Sequence, residues 1–168
     1  MAAEPLRMDL TKIAPEAYRH FLQLEEVIGR HVDRKLLHLI KLRASQINGC
    51  AFCIGMHTDE ALRDGESTER LTLLDAWEES SLYSEKERVA LAWAEEVTLI
   101  ADRGASKEGF EALKTHFNEE EIGWLTFAIV QINGWNRIAI SSRAQYNRKM
   151  FENAGQAETT PEKAPEPA

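Results

Sequence analysis

Apolar residues recur along this chain at three- and four-residue spacing, and nearly every segment reads as helix. Behind Pro15, a favourable first-turn residue, come Tyr18, Phe21, Leu22, Leu24 and Ile28. Asp33 is placed to cap a second helix that carries Leu36, Leu37, Ile40, Leu42 and Ile47. Asn48-Gly49 interrupts that run. A third helix is predicted from Cys50 to about Arg63, stopped by Asp64-Gly65, and a short one from Thr68 to Trp77. Ser84 to Glu87 has the form of a capping box ahead of a helix ending near Asp102. Ser106 opens another to about Phe117, and Asn118 caps the last long helix, to about Phe151. Alternating β-branched runs bounded by turns are missing, so the expected class is all-α.

The string Gln46-Ile47-Asn48-Gly49 recurs as Gln131-Ile132-Asn133-Gly134. Both copies follow an apolar helical stretch, which suggests a duplicated helical hairpin. In that register Trp135, Ile138 and Ser142 stand where Cys50, Cys53 and His57 stand in the first copy. The stretch from Glu152 to Ala168 is rich in Pro, Ala, Glu and Thr without apolar periodicity, and is expected to be disordered. Residues 1–151 then form a single helical domain, which at 43% apolar composition can bury a core.

Charge narrows the function classes. With 28 acidic against 20 basic residues the formal net charge is −8, which disfavours phosphate-backbone binding and docking on an anionic membrane. No nucleic-acid or membrane partner is expected. The N-terminal stretch lacks the apolar core of a signal peptide, and no apolar run reaches membrane-spanning length, so the expectation is a soluble, cytosolic protein. Structural disulfides are uncommon in that compartment, so a lone cysteine pair there points to redox or metal chemistry.

The chain has two cysteines, in Cys50-Ala51-Phe52-Cys53, followed by His57. On a helix, steps of three and seven residues turn through about 300° and about 700°, so these three side chains share one face. Cys50 falls near the helix start, where free N–H groups and the macrodipole favour a thiolate, the reactive form of cysteine. Two neighbouring thiols can reduce a peroxide: one becomes a sulfenic acid and the other closes a disulfide, which an external dithiol must reduce. His57, four residues beyond Cys53, can move the proton the leaving oxygen needs. Two blander possibilities stay open from the residues alone: a pair of small buried hydrophobes, and a zinc site with His57 as third ligand.

The stretch Leu42-Arg43-Ala44-Ser45-Gln46-Ile47-Asn48-Gly49-Cys50-Ala51-Phe52-Cys53-Ile54-Gly55-Met56-His57 resembles the core motif of the alkyl hydroperoxidase D (AhpD) family, within the carboxymuconolactone decarboxylase-like superfamily. Ile132-Asn133-Gly134-Trp135-Asn136-Arg137 resembles a second segment of its stand-alone members, and the likeness spans roughly residues 20 to 150. The resemblance implies an AhpD-like all-helical fold with two similar halves, assembled as a homo-oligomer, a trimer or hexamer. It implies hydroperoxide reduction with no haem, flavin or metal cofactor, supplied by an unknown dithiol reductant or adaptor. Carried over by position, Cys53 is the peroxidatic thiol, Cys50 the resolving thiol and proton donor, and His57 a member of the proton relay.

One position departs from the family pattern. The characterised peroxidases carry a Glu twelve residues before the first cysteine, and this chain has His38 there. An imidazole can shuttle protons near neutrality but supplies no carboxylate charge. The expected catalytic set is therefore Cys50, Cys53, His57 and His38, with Glu60 either orienting the His57 ring or standing as an ordinary solvated acid. The tryptophans are expected in the core or at subunit contacts, and Arg43, Arg137 and Arg143 either pair with acids or line a pocket. The rival functions are a decarboxylase-type lyase, which the cysteine pair disfavours, and a non-catalytic redox sensor or structural oligomer.

Overall fold

The computed structural model describes residues 5–148, so the expected tail from Glu152 lies outside the described residues. A four-residue turn of helix, α1 (Leu10–Ile13), leads into α2 (Pro15–Gly29), α3 (Arg34–Asn48) and α4 (Ala51–Arg63). After α5 (Thr68–Leu73) and a 3-10 turn, Leu74–Ala76, come α6 (Glu85–Thr98), α7 (Ile100–Arg103), α8 (Lys107–Lys114) and α9 (Glu119–Ser142). There is no strand among the described residues. The all-α class is as expected.

The helix starts follow the polar residues that can satisfy unpaired backbone N–H groups. The Asp33 carboxylate accepts from Leu36 N–H at 3.0 Å, and Ser106 accepts from Gly109 N–H at 2.9 Å. Ser84 with Glu87, and Asn118 with Glu121, form reciprocal capping boxes. Several helix ends fall short of their expected positions. The helix from Ser84 ends at Thr98, and Leu99 separates it from α7, which Gly104 stops at φ +68°. The segment from Thr68 tightens into a 3-10 turn at Leu74, and α8 stops at Lys114.

The last helix ends at Ser142, well before Phe151. Arg143 takes a left-handed conformation (φ 58°) there, and Ala144 N–H returns to Ala139 C=O at 2.9 Å. That turn sends the chain back, so that Ala144 packs on the cysteines.

Helix α3 is central and packs against α4, α6 and α9. Its Leu36 and Ile40 enter a cluster with Trp93, Leu113, Leu125 and Ile129, and its Leu39 and Leu42 enter a second with Ala61, Leu74, Trp77 and Leu91. With apolar partners on both sides, its polar residues His38, Lys41 and Ser45 are buried too. Trp77 and Trp93 lie in these clusters as expected, while Trp124 and Trp135 are half-buried. Arg43 is tied to acids across helices: its Nε donates to Glu95 at 2.7 Å, and its Nη1 reaches Asp75. Arg137 donates back to Asn133 O at 2.8 Å.

The two Gln-Ile-Asn-Gly strings do not make two hairpins. Gly49 is left-handed (φ +67°) and closes a Schellman turn, with Gly49 N–H to Gln46 O at 3.1 Å and Cys50 N–H to Ser45 O at 3.0 Å. Gly134 instead lies inside the uninterrupted α9. A Cβ at Gly134 would sit 2.6 Å from the Phe21 ring, so the small residue there serves close packing of α2. The same four residues give a corner in one place and a helix in the other because their tertiary neighbours differ. At Gly49 a Cβ would meet nothing within 4 Å, so Gly49→Ala isolates the backbone penalty. It is expected to cost about 1 kcal/mol, measured by chemical denaturation with helix content unchanged in water.

Candidate active site

The corner at Gly49 delivers Cys50 to the N-cap of α4. Its Sγ takes the place a Ser or Asp oxygen usually fills and accepts the Cys53 backbone N–H at 3.3 Å. Cys53, nearly one turn into the helix, lies beside it, and the two thiols are free and buried, each about 1% exposed. They pack with Phe52, Ala139 of α9 and Ala144 of the returning segment. Further along that segment the Tyr146 ring lies on Gly55, where a Cβ would come within 2.6 Å of it, and the Tyr146 hydroxyl donates to Asp59.

Hydrogen bonds divide the charge unequally between the sulfurs. Cys50 is brought down to about 7, first by the hydrogen bond from Cys53, against the opposing effect of burial, with help from the Cys53 and Phe52 N–H groups and the Asn136 amide. Cys53 is pushed up, by donating to Cys50, by burial and by the charge on Cys50, although Asn136 favours its ionised form as well. Above about pH 7 the pair therefore holds one shared proton, with the negative charge resting at the helix start.

His57 lies one turn beyond Cys53 and is 3% exposed. Its Nδ1 is 2.8 Å from Glu60 Oε2, which sets the tautomer: Nδ1–H donates to the carboxylate and Nε2 keeps its lone pair. That Nε2 is buried and has no hydrogen-bond partner among the described residues. Burial pushes His57 below its ordinary value, only partly offset by Glu60. Burial acts to raise Glu60, but the His57 hydrogen bond and the charges of His57, Lys41 and His38 outweigh it and leave this carboxyl below its usual range. Glu60 is therefore no ordinary solvated acid: it orients the imidazole and leaves it open at one nitrogen, while burial keeps the ring neutral.

His38 is placed differently. It is buried on α3, and its Nε2 is 2.5 Å from Asp64, whose carboxylate also takes Arg34 Nε at 2.5 Å. Asp64 follows the far end of α4, about 20 Å along the helix from Cys50. The structure thus brings Cys50, Cys53 and His57 onto one face and gives His57 the Glu60 carboxylate, while His38 hydrogen-bonds away from the sulfurs. His38, Lys41, Glu60 and Asp64 line a polar cavity of about 850 Å3 that the cysteines do not line. Lys41, 4% exposed, pairs there with Glu25, and burial brings it down to about 8 against the pull of Glu60.

Asn136 is the site residue to which sequence alone attached no role. It is fully buried, and its amide acts to lower both thiols. Asn48 Nδ2 donates to Asn136 Oδ1 at 2.8 Å and to Asn133 Oδ1 at 2.9 Å, so this polar junction joins the two Gln-Ile-Asn-Gly strings. Among the described residues no group of three or more His, Cys, Asp or Glu side chains converges as a metal-ligand set, and no helix is long and apolar enough to cross a membrane.

The helical domain presents Cys-x-x-Cys-x-x-x-His from the start of α4 with both cysteines and His57 buried. The chain belongs to the carboxymuconolactone decarboxylase family, whose sequence profile matches residues 15–96. It is 40% identical over 136 residues to the uncharacterised protein YdfG of Bacillus subtilis, covering 80% of this chain and 92% of that one. A solved structure from Agrobacterium tumefaciens, a protein of unknown function described as a candidate antioxidant defence protein AhpD, is 44% identical, with a TM-score of 0.83 over 85% of this chain and 99% of that one. The debrominase Bmp8 shares the fold at 22% identity, with a TM-score of 0.70 over 82% of this chain and 76% of its own.

The charge division has a direct readout. In the reduced protein, thiolate absorbance near 240 nm is expected to rise with a midpoint near pH 7, well below an ordinary ~8.5. The Cys50→Ser variant should lose this early phase.

Proposed function

We propose that this protein is a thiol peroxidase that reduces organic hydroperoxides or hydrogen peroxide through Cys50 and Cys53. The observation that carries the reading is His57: a buried imidazole, fixed by Glu60, with its Nε2 lone pair unclaimed, one helical turn beyond a thiol pair whose Cys50 is brought down to about 7. An unsatisfied buried acceptor costs about 1–3 kcal/mol, and a proton-transfer role explains its retention.

In this reading Cys53 attacks. Its proton passes to His57 Nε2, a new S–O bond forms at the peroxide, the O–O bond breaks, and the alkoxide takes the proton from His57. Cys53 is then a sulfenic acid. The Cys50 thiolate attacks that sulfur, the S–S bond forms as the S–O bond breaks, and the departing hydroxide takes a proton from an acid in the bulk solution. A peroxide is reduced to alcohol and water while two thiols are oxidised to a disulfide, which a dithiol reductant must then return to the reduced state. The low value at Cys50 suits it to the resolving step, since it is already ionised when the sulfenic acid forms. Glu60 supplies the carboxylate of the relay, and His38 acts on it from the cavity side, through its charge on Glu60 and His57.

Trapping decides the order of the sulfurs. With peroxide and dimedone, Cys50→Ser is expected to accumulate labelled Cys53, and Cys53→Ser to show neither label nor turnover. Stable sulfenic acid at Cys50 in Cys53→Ser would reverse the assignment. Disulfide formation in the wild type without turnover by any dithiol would defeat the peroxidase reading itself. For the relay, Glu60→Gln is expected to lower peroxide consumption at pH 7 by roughly tenfold or more and to move the His57 titration, followed by NMR, to lower pH. His38→Ala should give a smaller loss.

A further inference from the structure

Both sulfurs are about 1% exposed, yet a disulfide between them can be opened only by an outside thiolate that reaches one sulfur. Something that covers the pair must therefore move. Phe52 of α4, Ala139 of α9 and Ala144 pack on it. The first two belong to helices that pack on α3 in the core. Ala144 does not: residues 144–147 lie outside the helices, on the segment that returns from the end of α9. The return begins at Arg143, whose φ of 58° is unfavourable for a residue with a Cβ. The backbone at this corner gains by leaving the closed position, so closure depends on contacts further along.

Those contacts are made by Tyr146. Its ring lies on Gly55, where a Cβ would come within 2.6 Å of two ring carbons. Its hydroxyl donates to Asp59, one turn further along the same face of α4, and Arg148 Nε approaches that carboxylate at 3.8 Å. A glycine inside a helix is unfavourable, and the seated ring gives Gly55 its purpose.

We propose that residues 143–148 are a strap over the Cys50–Cys53 pair, latched by Tyr146 in the seat made by Gly55 and Asp59, and that its release opens the sulfurs to the dithiol reductant. Arg143 is the hinge. What is admitted during turnover rests on the peroxidase reading, but access to the sulfurs does not.

The test is the rate at which iodoacetamide alkylates the reduced, full-length protein, followed by mass at about pH 9, where Cys50 is ionised and thiolate fraction does not limit the rate. Gly55→Ala puts a methyl group into the seat while favouring α4, so faster alkylation there cannot come from a weaker helix. Gly55→Ala and Tyr146→Ala are each expected to raise the rate roughly tenfold, as a local opening made easier. Tyr146→Phe keeps the ring, loses the hydroxyl, and should raise it less. Lifting a strap exposes little surface, so the rate is expected to stay nearly flat in low urea. An unchanged rate in either Gly55→Ala or Tyr146→Ala overturns the proposal. So does a rate that climbs with urea as steeply as global unfolding. After oxidation by diamide, both variants are expected to be reduced by dithiothreitol faster than the wild type; equal reduction rates overturn the gating of the reductant. Faster alkylation with no peroxide consumption by wild type or variants would defeat the peroxidase reading and leave the strap intact.

Discussion

The site depends on one partly buried hydrogen bond, from the side-chain amide of Asn48 to that of Asn136. Asn48 is the last residue of α3, and its position follows from Gly49, whose left-handed backbone ends the helix and turns the chain into α4. Asn136 is in the middle of α9. The bond joins the corner that carries the cysteines to the longest helix of the molecule, with Asn136 fully buried and Asn48 half-buried. A polar pair of this kind gives little net stabilisation, but breaking it leaves unsatisfied groups, so it fixes one arrangement against others of similar packing. The corner, the sulfurs and α9 are thus held in one register.

Everything chemical then follows from where α4 begins. A cysteine in an N-cap position receives the backbone N–H that would otherwise be orphaned, and its thiolate gains what a carboxylate cap ordinarily gains. The second cysteine, one turn in, becomes the donor to the first, which is why two identical side chains acquire opposite shifts. Burial sharpens the contrast, because in low dielectric the hydrogen bonds and the like-charge penalty both count for more. The asymmetry of the pair is a property of its place on the helix.

What was legible in the sequence was what acts over a few residues. The caps at Asp33, Ser84, Ser106 and Asn118, the break at Gly49, and the shared face of Cys50, Cys53 and His57 all follow from local spacing, and all appear in the structure. What was not legible depends on distant partners. Asn136 acts on the thiols only because α9 packs against α4. Asp64 was readable as a helix stop but not as the acceptor for His38 and Arg34. The repeat misled for the same reason: Asn133-Gly134 has the local signal for a turn, and packing of Phe21 against Gly134 within α9 overrides it. The premature end of α9 rests on Arg143, a residue with no intrinsic preference for the left-handed region it occupies.

From sequence His38 is expected to stand in the relay where the family has Glu, and the structure puts its ring against Asp64. A neutral imidazole that must act as a base needs a carboxylate at its other nitrogen, to fix the tautomer and to stabilise the charged form. That carboxylate need not come from the neighbouring helix. Three residues beyond His57, Glu60 reaches the ring along its own helix, at the spacing where side chains on a helix meet. Once Glu60 fills this place, a second carboxylate at position 38 would face it across the same cavity and repel it. A histidine there, bound to Asp64, instead lowers the Glu60 carboxyl along with Lys41 and keeps it ionised. On the proposed reading the carboxylate of the relay comes from α4 itself, and His38 supports it from α3.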